Sequence, residues 1–170
     1  FMQEKKYDVV IIGGGPAGGQ AARNLSQKGY KTLLVERYKS FNDNNFSSAG
    51  MTLEPLDEFN LPKSVIGSYW KDITIQCTDK GYDWLGDKVK GVVLDFGKLR
   101  QFLADESVSN GGEVLMGHKY IQKRVQNFEA EVDLLDQETS LIKTIKTKIL
   151  IDATGPLRKV IYDSKEEQPK

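Results

Sequence analysis

The segment YDVVIIGGGPAGGQAARNLSQKGYKTLLVER, from Tyr7 to Arg37, decides the fold of this chain. It begins with a short β-branched apolar run, passes through three consecutive glycines, and ends in a second apolar run, Thr32 to Val35. Short continuous apolar runs are typical of strands that are buried on both faces of a sheet. Pro16 favours a helix between the runs, because its missing N–H is no loss in a first helical turn. The segment therefore predicts a βαβ unit with parallel strands.

The glycines at positions 13, 15 and 18 fit the spacing Gly-x-Gly-x-x-Gly between the predicted strand and helix. In this setting Gly13 allows a tight turn, Gly15 lets a pyrophosphate approach, and Gly18 lets helix and strand pack closely. The stretch from Ile12 to Gln20 contains no lysine or arginine. A bound phosphate would therefore be held by backbone N–H groups and the positive end of the helix dipole.

Glu36 stands at the end of the second predicted strand, eighteen residues after Gly18. A carboxylate at this place can accept hydrogen bonds from both hydroxyl groups of an adenosine ribose, and it would repel a 2′-phosphate. The spacing therefore predicts FAD or NAD rather than NADP. Two simpler interpretations stay open, namely a tight glycine turn that binds no ligand and a solvated carboxylate at a strand end.

The remainder of the sequence predicts a mixed set of elements. We expect a loop at 39–50, a short helix at 53–59, strands at 73–77 and 89–94, an amphipathic helix at 98–109, a strand at 125–135 with Phe128 on its apolar side, a turn at 136–139, partner strands within 141–151, and a buried strand at 148–152. The fold class predicted is α/β, a Rossmann-like FAD- or NAD(P)-binding domain with a parallel sheet and an antiparallel β-meander. It is expected to span residues 1–160, followed by a polar tail at 161–170.

The composition excludes several other classes of protein. The 24 basic and 24 acidic residues balance, which argues against general affinity for nucleic acid or anionic membrane. The apolar run at Val9 to Ile12 is too short to span a bilayer, so no integral membrane segment is expected. One cysteine, Cys77, and one histidine, His118, exclude a disulfide framework and argue against a zinc site. We expect a cytoplasmic protein without a metal.

Two landmarks carry a resemblance to a known group of proteins. The opening segment, ending in Glu36-Arg37, resembles the start of the glutathione-reductase-type FAD proteins, and Ile151 to Gly155 resembles the Ala-Thr-Gly strand that follows their β-meander. Residues 92–103 are similar to the geranylgeranyl reductase and p-hydroxybenzoate hydroxylase branch. The resemblance implies FAD as cofactor and hydride or oxygen transfer at the flavin, with an isoprenoid, carotenoid or aromatic small molecule as substrate.

The resemblance covers the N-terminal part of such an enzyme, because the later Gly-Asp motif of the family has no counterpart before residue 170. The family's arginine near the flavin is replaced by Phe96, and its cysteine-glycine loop by residues 47–50. Two alternatives to an FAD-dependent oxidoreductase therefore remain: a truncated, non-catalytic dinucleotide-binding remnant that does not retain FAD, and an NAD-binding module. A homo-oligomer could complete the site.

The candidate site residues follow from the motifs and the resemblance, and no catalytic residue is assigned. The predicted cofactor-binding residues are Gly13, Gly15, Pro16, Ala17, Gly18, Glu36, Arg37, Arg100, Thr154 and Gly155. Arg100 lies on the amphipathic helix, where two interpretations stay open: an approach to the cofactor, or a solvated or salt-bridged helix residue. Cys77 is interpreted as a core residue, and Trp70 and Trp84 as packing anchors.

Overall fold

The computed structural model of this protein describes residues 5–45, 47 and 49–162. The chain divides into two compact units, the first formed by the chain up to Asp43 and from Arg100 onward, the second by Asn44–Leu99. The expected domain bounds, 1–160 with a tail at 161–170, stay a prediction, and residues 163–170 of that tail lie outside the described ranges.

The predicted helices and strands are present with shifted ends, and the structure adds strands that the sequence did not predict, at Gly50–Thr52, Ile66–Trp70, Gly81–Trp84 and Glu113–Leu115. The strands are β1 (Lys6–Ile12), β2 (Thr32–Val35), β3 (Gly50–Thr52), β4 (Ile66–Trp70), β5 (Ile73–Gln76), β6 (Gly81–Trp84), β7 (Gly91–Leu94), β8 (Glu113–Leu115), β9 (His118–Gln126), β10 (Glu129–Asp136) and β11 (Ile142–Asp152). The helices are α1 (Pro16–Gln27), α2 (Glu54–Glu58) and α3 (Phe96–Ser109), with short 3-10 turns at Lys63–Val65 and Gly155–Leu157.

The first unit is built on a six-stranded sheet in the order β8-β2-β1-β11-β10-β9. β1 pairs in parallel with both β2 and β11, and β2 pairs in parallel with β8. β9, β10 and the first half of β11 form an antiparallel meander at the other edge. A single long strand, β11, thus joins the meander to the parallel strands, where the sequence suggested separate strands. The predicted α/β class, with parallel sheet and meander, is confirmed.

β1 is buried on both faces, as its continuous apolar run predicts. Val10 and Ile12 pack into one apolar cluster with residues of the meander, and Val9 and Ile11 pack into a second cluster with α1 and α3 residues. On the second face α1 lies close to α3, because a Cβ at Gly19 would be 3.0 Å from the Cβ of Leu103. The sheet's core therefore fixes the position of the turn that follows β1.

The second unit contains a three-stranded sheet, β3-β7-β4, and a separate two-stranded ribbon, β5-β6. Trp70 is a packing anchor as predicted, since its indole N–H donates to the carbonyl of Val92 and it lies against Gly91. The predictions for Cys77 and Trp84 are wrong. Cys77 is an exposed thiol just after β5, and Trp84 is 54% exposed. Both belong to a ribbon whose two faces are exposed within the described chain.

The meander contains a hairpin turn that the sequence pattern did not reveal. Asn127 and Phe128 form a two-residue turn between β9 and β10, both with positive φ (50° and 63°). Phe128 is 97% exposed, so its predicted place on the apolar side is wrong. The sequence of the helix predicted at 98–109 also places Val108 on the apolar side with Leu99 and Leu103. Val108 is 52% exposed, so its predicted place is wrong.

We predict that Phe128→Gly stabilises the protein. The left-handed conformation is unfavourable for a residue with a Cβ, and two-residue hairpin turns of this type favour Asn-Gly. After allowance for the flexibility of glycine in the unfolded chain, the expected gain in the free energy of unfolding is about 1 kcal/mol, measured by urea denaturation. Asn127→Gly is the control and should gain less, because asparagine tolerates this conformation. A loss of stability in Phe128→Gly would contradict the prediction.

Candidate functional site

The turn after β1 is closed against the end of β11 by direct contact between backbones. Gly13 has φ of +112°, and a Cβ there would lie 2.3 Å from the carbonyl oxygen of Ala153. A Cβ at Gly18 would lie 1.9 Å from the carbonyl oxygen of Gly13. Main-chain atoms cannot give way as a flexible side chain can, so both positions require glycine. The close packing predicted for these glycines is present.

Gly15, in contrast, faces open space. It is the N-cap residue of α1, and apart from Gly15 and its two chain neighbours no atom of the described residues lies within 4 Å of the position that its Cβ would take. The helix has no side-chain cap at this end and no acidic residue in its first turn, which begins with Pro16 and Ala17. The positive end of the helix dipole is therefore open to an anion. A diphosphate fits this end of the helix in charge and in space.

Glu36 lies directly beside the same turn and is buried, with 6% of the residue exposed to solvent. Its Oε2 accepts a hydrogen bond from the backbone N–H of Gly14 at 2.8 Å, and its Oε1 accepts one from the N–H of Tyr38 at 3.0 Å. The carboxylate is thus held at the carboxyl end of β2, as the spacing predicts. Its predicted bond to a ribose stays a prediction.

Arg100 of α3 forms a buried ion pair with Glu36, and its predicted contact with the cofactor stays a prediction. Its Nη2 lies 3.2 Å from Oε2 of Glu36, and the two side chains are 5% and 7% exposed. Its Nε donates to the carbonyl oxygen of Gly14 at 2.9 Å. Arg100 therefore contacts both the glycine turn and the carboxylate.

Arg37 is predicted to bind the cofactor, but its side chain contacts the neighbouring residue, Tyr38. Its guanidinium stacks over the ring of Tyr38, 4.7 Å from the centroid, and donates to the Tyr38 hydroxyl at 2.8 Å. The strand end that precedes it is held by the amide of His118, which donates to the carbonyl of Glu36 at 3.0 Å. The structure thus brings Glu36 and Arg100 to the turn and leaves Arg37 exposed beside them.

Thr154 and Gly155 lie in a tight turn that directly follows the parallel part of β11. The carboxylate of Asp152 organises this turn: one oxygen accepts hydrogen bonds from the N–H and hydroxyl of Thr154, the other from the N–H groups of Val160 and Ile161, all at 2.6–3.0 Å. The sequence reasoning missed Asp152. Its signal was an aspartate two residues before a threonine at a strand end, a typical start of a side-chain-capped turn.

The hydrogen bonds to Asp152 also set its ionisation. Burial raises the pKa of this carboxyl, but the bonds from Thr154, Val160 and Ile161 together lower it, and the net pKa lies below its ordinary value. The folded protein therefore favours the carboxylate form, which is the form that can accept four hydrogen bonds at once.

We predict that Asp152→Asn lowers the free energy of unfolding by about 2 kcal/mol at neutral pH, because hydrogen bonds to a charged acceptor are lost. The folded pKa is lowered, so this stability is present above the unfolded pKa of about 3.9 and is lost as the pH falls through the folded pKa. Denaturation at a series of pH values from about 6 to about 2 should show a steeper acid decline for the wild type. Asp105→Asn, at an exposed position, is the control. Equal declines in wild type and Asp152→Asn would contradict the assignment.

The loop at 47–50 belongs to the second unit. Ser47 accepts a hydrogen bond from the N–H of Ala49, and Gly50 begins β3. Ser48 lies outside the described residues.

The sequence predicts neither a metal site nor a membrane-spanning segment. Within residues 5–45, 47 and 49–162, no group of three or more His, Cys, Asp or Glu side chains is arranged to hold a metal ion. In the same ranges, no helix has both the length and the apolar composition needed to cross a bilayer.

A glycine turn that closes against the sheet, an open helix N-terminus and a carboxylate at the end of β2 define a Rossmann-type dinucleotide-binding protein. The family model described as FAD dependent oxidoreductase matches residues 8–156. The chain therefore belongs to the FAD dependent oxidoreductase family, and the cofactor of that family is FAD.

Curated relatives indicate a branch within the family. The chain is 29% identical over 153 residues to digeranylgeranylglycerophospholipid reductase of Haloferax volcanii, which covers 88% of this chain and 36% of that protein. It is 30% identical over 172 residues to chloroplastic geranylgeranyl diphosphate reductase of Arabidopsis thaliana, covering 91% and 35%. The chain thus spans little more than a third of the length of these relatives.

A solved structure shows the same fold. A geranylgeranyl bacteriochlorophyll reductase-like protein from Thermoplasma acidophilum superposes with a TM-score of 0.76 and 24% identity, over 88% of this chain and 39% of that one. The resemblance to the geranylgeranyl reductase branch, first suggested by sequence motifs, is confirmed by these comparisons.

Proposed function

We propose that this chain is the FAD-binding part of an oxidoreductase that transfers hydride through flavin to or from an isoprenoid substrate. The observation that carries the proposal is the open N-terminus of α1 at Gly15, next to the buried carboxylate of Glu36. When bound, FAD would supply the hydride chemistry at its ring system, and the protein would supply position and electrostatics.

The pyrophosphate would be held by the N–H groups of the first turn of α1, at Gly15, Ala17 and Gly18. No lysine or arginine of the loop takes part, so the site relies on backbone dipoles. These groups are fixed before the ligand arrives, because the turn is closed against Ala153. Thr154 and Gly155, ordered by Asp152, would border the same edge of the sheet, at the carboxyl ends of β1 and β11.

Glu36 would bind the adenosine ribose, but with less capacity than the sequence suggests. A carboxylate has about four acceptor positions, and within the described chain the donors from Gly14, Tyr38 and Arg100 use three of them. The remaining position, on Oε1, suits one ribose hydroxyl. A buried carboxylate here still disfavours a 2′-phosphate, which supports FAD over NADP.

The isoprenoid class of substrate is supported by the names of two relatives, a digeranylgeranylglycerophospholipid reductase and a geranylgeranyl diphosphate reductase. Carotenoid and aromatic substrates are the broader alternatives that the family resemblance allows. A small-molecule substrate also agrees with the balanced charge of the chain, which provides no basis for a nucleic-acid partner. The single cysteine supports a reducing compartment such as the cytoplasm. A homo-oligomer could supply further walls to the site.

The family favours FAD over NAD, so the NAD-binding alternative is the weaker one. The remnant alternative differs in one measurable property, because it predicts the same fold without retention of FAD. Binding of FAD by the purified chain therefore separates the proposal from both alternatives, when it is compared with binding of NAD.

A matched pair of glycine variants tests the site. Gly15 has φ of −74° and ψ of 179°, which alanine also adopts, so Gly15→Ala should fold with an unchanged melting temperature. Its methyl group would occupy the space needed by the pyrophosphate, and the dissociation constant for FAD should rise roughly tenfold or more. Quenching of flavin fluorescence gives the binding constant, and circular dichroism gives the melting temperature.

Gly18→Ala is the comparison for the fold, because the contact that its methyl group would make lies within the protein and its effect on stability is measured without a ligand. Its methyl group would meet the carbonyl oxygen of Gly13 at 1.9 Å, so the free energy of unfolding should fall by about 3 kcal/mol. Wild-type protein that binds no FAD, or Gly15→Ala protein that binds it as well as wild type, would overturn the proposed site.

A further inference from the structure

We infer that Arg100 is a positioning residue that holds the Gly14–Gly15 peptide group in the orientation needed to bind the pyrophosphate. The inference rests on the proposed function and goes beyond it. It assigns Arg100 a role through the protein backbone, not as a cation that contacts the phosphate.

The first observation is the set of groups that the guanidinium contacts. Arg100 is 4% exposed. Its Nε donates to the carbonyl of Gly14 at 2.9 Å, and its Nη1 donates to the carbonyls of Phe41 and Asp43 at 3.3 and 3.2 Å. Its carbon Cζ also lies 5.2 Å from the centre of the Phe41 ring. The planar guanidinium thus joins the glycine turn to the loop that follows β2.

The second observation is that Gly14 is held on both sides. Its N–H donates to Oε2 of Glu36 at 2.8 Å, and its carbonyl accepts from Arg100, which itself pairs with the same Oε2. The three groups form a closed ring of hydrogen bonds. A Cβ at Gly14 would lie 2.8 Å from the Phe41 ring and 2.9 Å from Oε2 of Glu36, so the backbone of Gly14 packs directly against both side chains.

The geometry of a peptide bond carries this constraint to Gly15. Within the described ranges every peptide bond is trans, and in a trans peptide the C=O and the following N–H point in opposite directions. Because the carbonyl of Gly14 points at Arg100, the N–H of Gly15 points away from Arg100. Gly15 is also the position in the turn with open space around it. Arg100 therefore sets the direction of a donor that the diphosphate needs.

This role needs the shape of arginine and not its charge alone. Arginine offers several N–H donors in a fixed plane, whereas lysine has a single ammonium group at the end of a flexible stem. One ammonium cannot reach the carbonyls of Gly14, Phe41 and Asp43 and the carboxylate of Glu36 in the same arrangement. Arg100→Lys is therefore expected to behave like Arg100→Gln in diphosphate binding.

The experiment compares the affinities for adenosine and ADP, measured by competition against FAD. The ADP affinity divided by the adenosine affinity isolates the contribution of the diphosphate. Loss of Arg100 should reduce this ratio roughly tenfold, as expected for a hydrogen bond of ordinary strength, in Arg100→Gln and in Arg100→Lys. Any change in the adenosine affinity that follows from the lost ion pair with Glu36 affects both ligands and is removed by the ratio.

Two control variants separate this effect from general damage. Arg23→Gln removes another buried arginine of the same unit, whose Nη2 lies 3.5 Å from Glu106, and should leave the ratio unchanged. Glu36→Gln should weaken adenosine and ADP together. If Arg100→Gln fails to fold, the double variant Glu36→Gln/Arg100→Gln removes both buried charges, and its ratio should be reduced in the same way.

The outcomes distinguish the inference from the proposed function. A wild-type ratio retained in Arg100→Gln, or in the double variant, would overturn the inference alone. A ratio restored by Arg100→Lys would also overturn it, because charge alone would then be sufficient. A wild-type protein that binds neither FAD nor ADP would overturn the proposed function and the inference together.

Discussion

The close approach of two backbones at the end of β1 is the constraint on which the rest of the site depends. The carbonyl oxygen of Ala153 lies only 2.3 Å from where a Cβ of Gly13 would be, and the carbonyl oxygen of Gly13 lies 1.9 Å from where a Cβ of Gly18 would be. Because main-chain atoms fill these places, α1 begins directly at the carboxyl ends of the parallel strands. The positive end of the helix dipole and the edge of the sheet then meet at one point, where open-sheet α/β proteins bind their ligands.

The polar groups around this point are fixed to one another before any ligand binds. Glu36 and Arg100 are both buried, and burial of an ion pair costs desolvation energy that largely offsets its attraction. We interpret the pair as fixing the position of the glycine turn and not as adding stability, since both partners also bind the backbone of Gly14. Asp152 does the same for the neighbouring turn, where one carboxylate accepts hydrogen bonds from three backbone N–H groups. A site that binds an anion through backbone N–H groups needs such supports, because the backbone has no side-chain rotamers with which to adjust.

The sequence predicted the parts of the fold that depend on local pattern. The apolar runs of β1 and β2, and the spacing from Gly18 to Glu36, placed the βαβ unit and its carboxylate correctly. The sequence pattern did not predict the features that depend on contacts between distant parts of the chain. Arg100 and Glu36 are 64 residues apart, and no periodicity in the chain connects them. Phe128 is spaced by two residues from the buried positions of β10, as a residue of the same strand face would be. An alternating pattern therefore cannot show that Phe128 lies in a two-residue turn. Trp84 also fits an alternating apolar strand, but its ribbon does not belong to either larger sheet.

In the proposed site, the backbone N–H groups at the start of α1 bind a diphosphate. The most direct measurement is a titration of the isotope-labelled protein with ADP, followed through the amide signals in a nitrogen–proton correlation spectrum. The account predicts that the largest shifts occur at Gly15, Ala17 and Gly18, with smaller shifts at Gly14 and Glu36. Shifts confined to another surface, with these amides unmoved at saturating ADP, would contradict it.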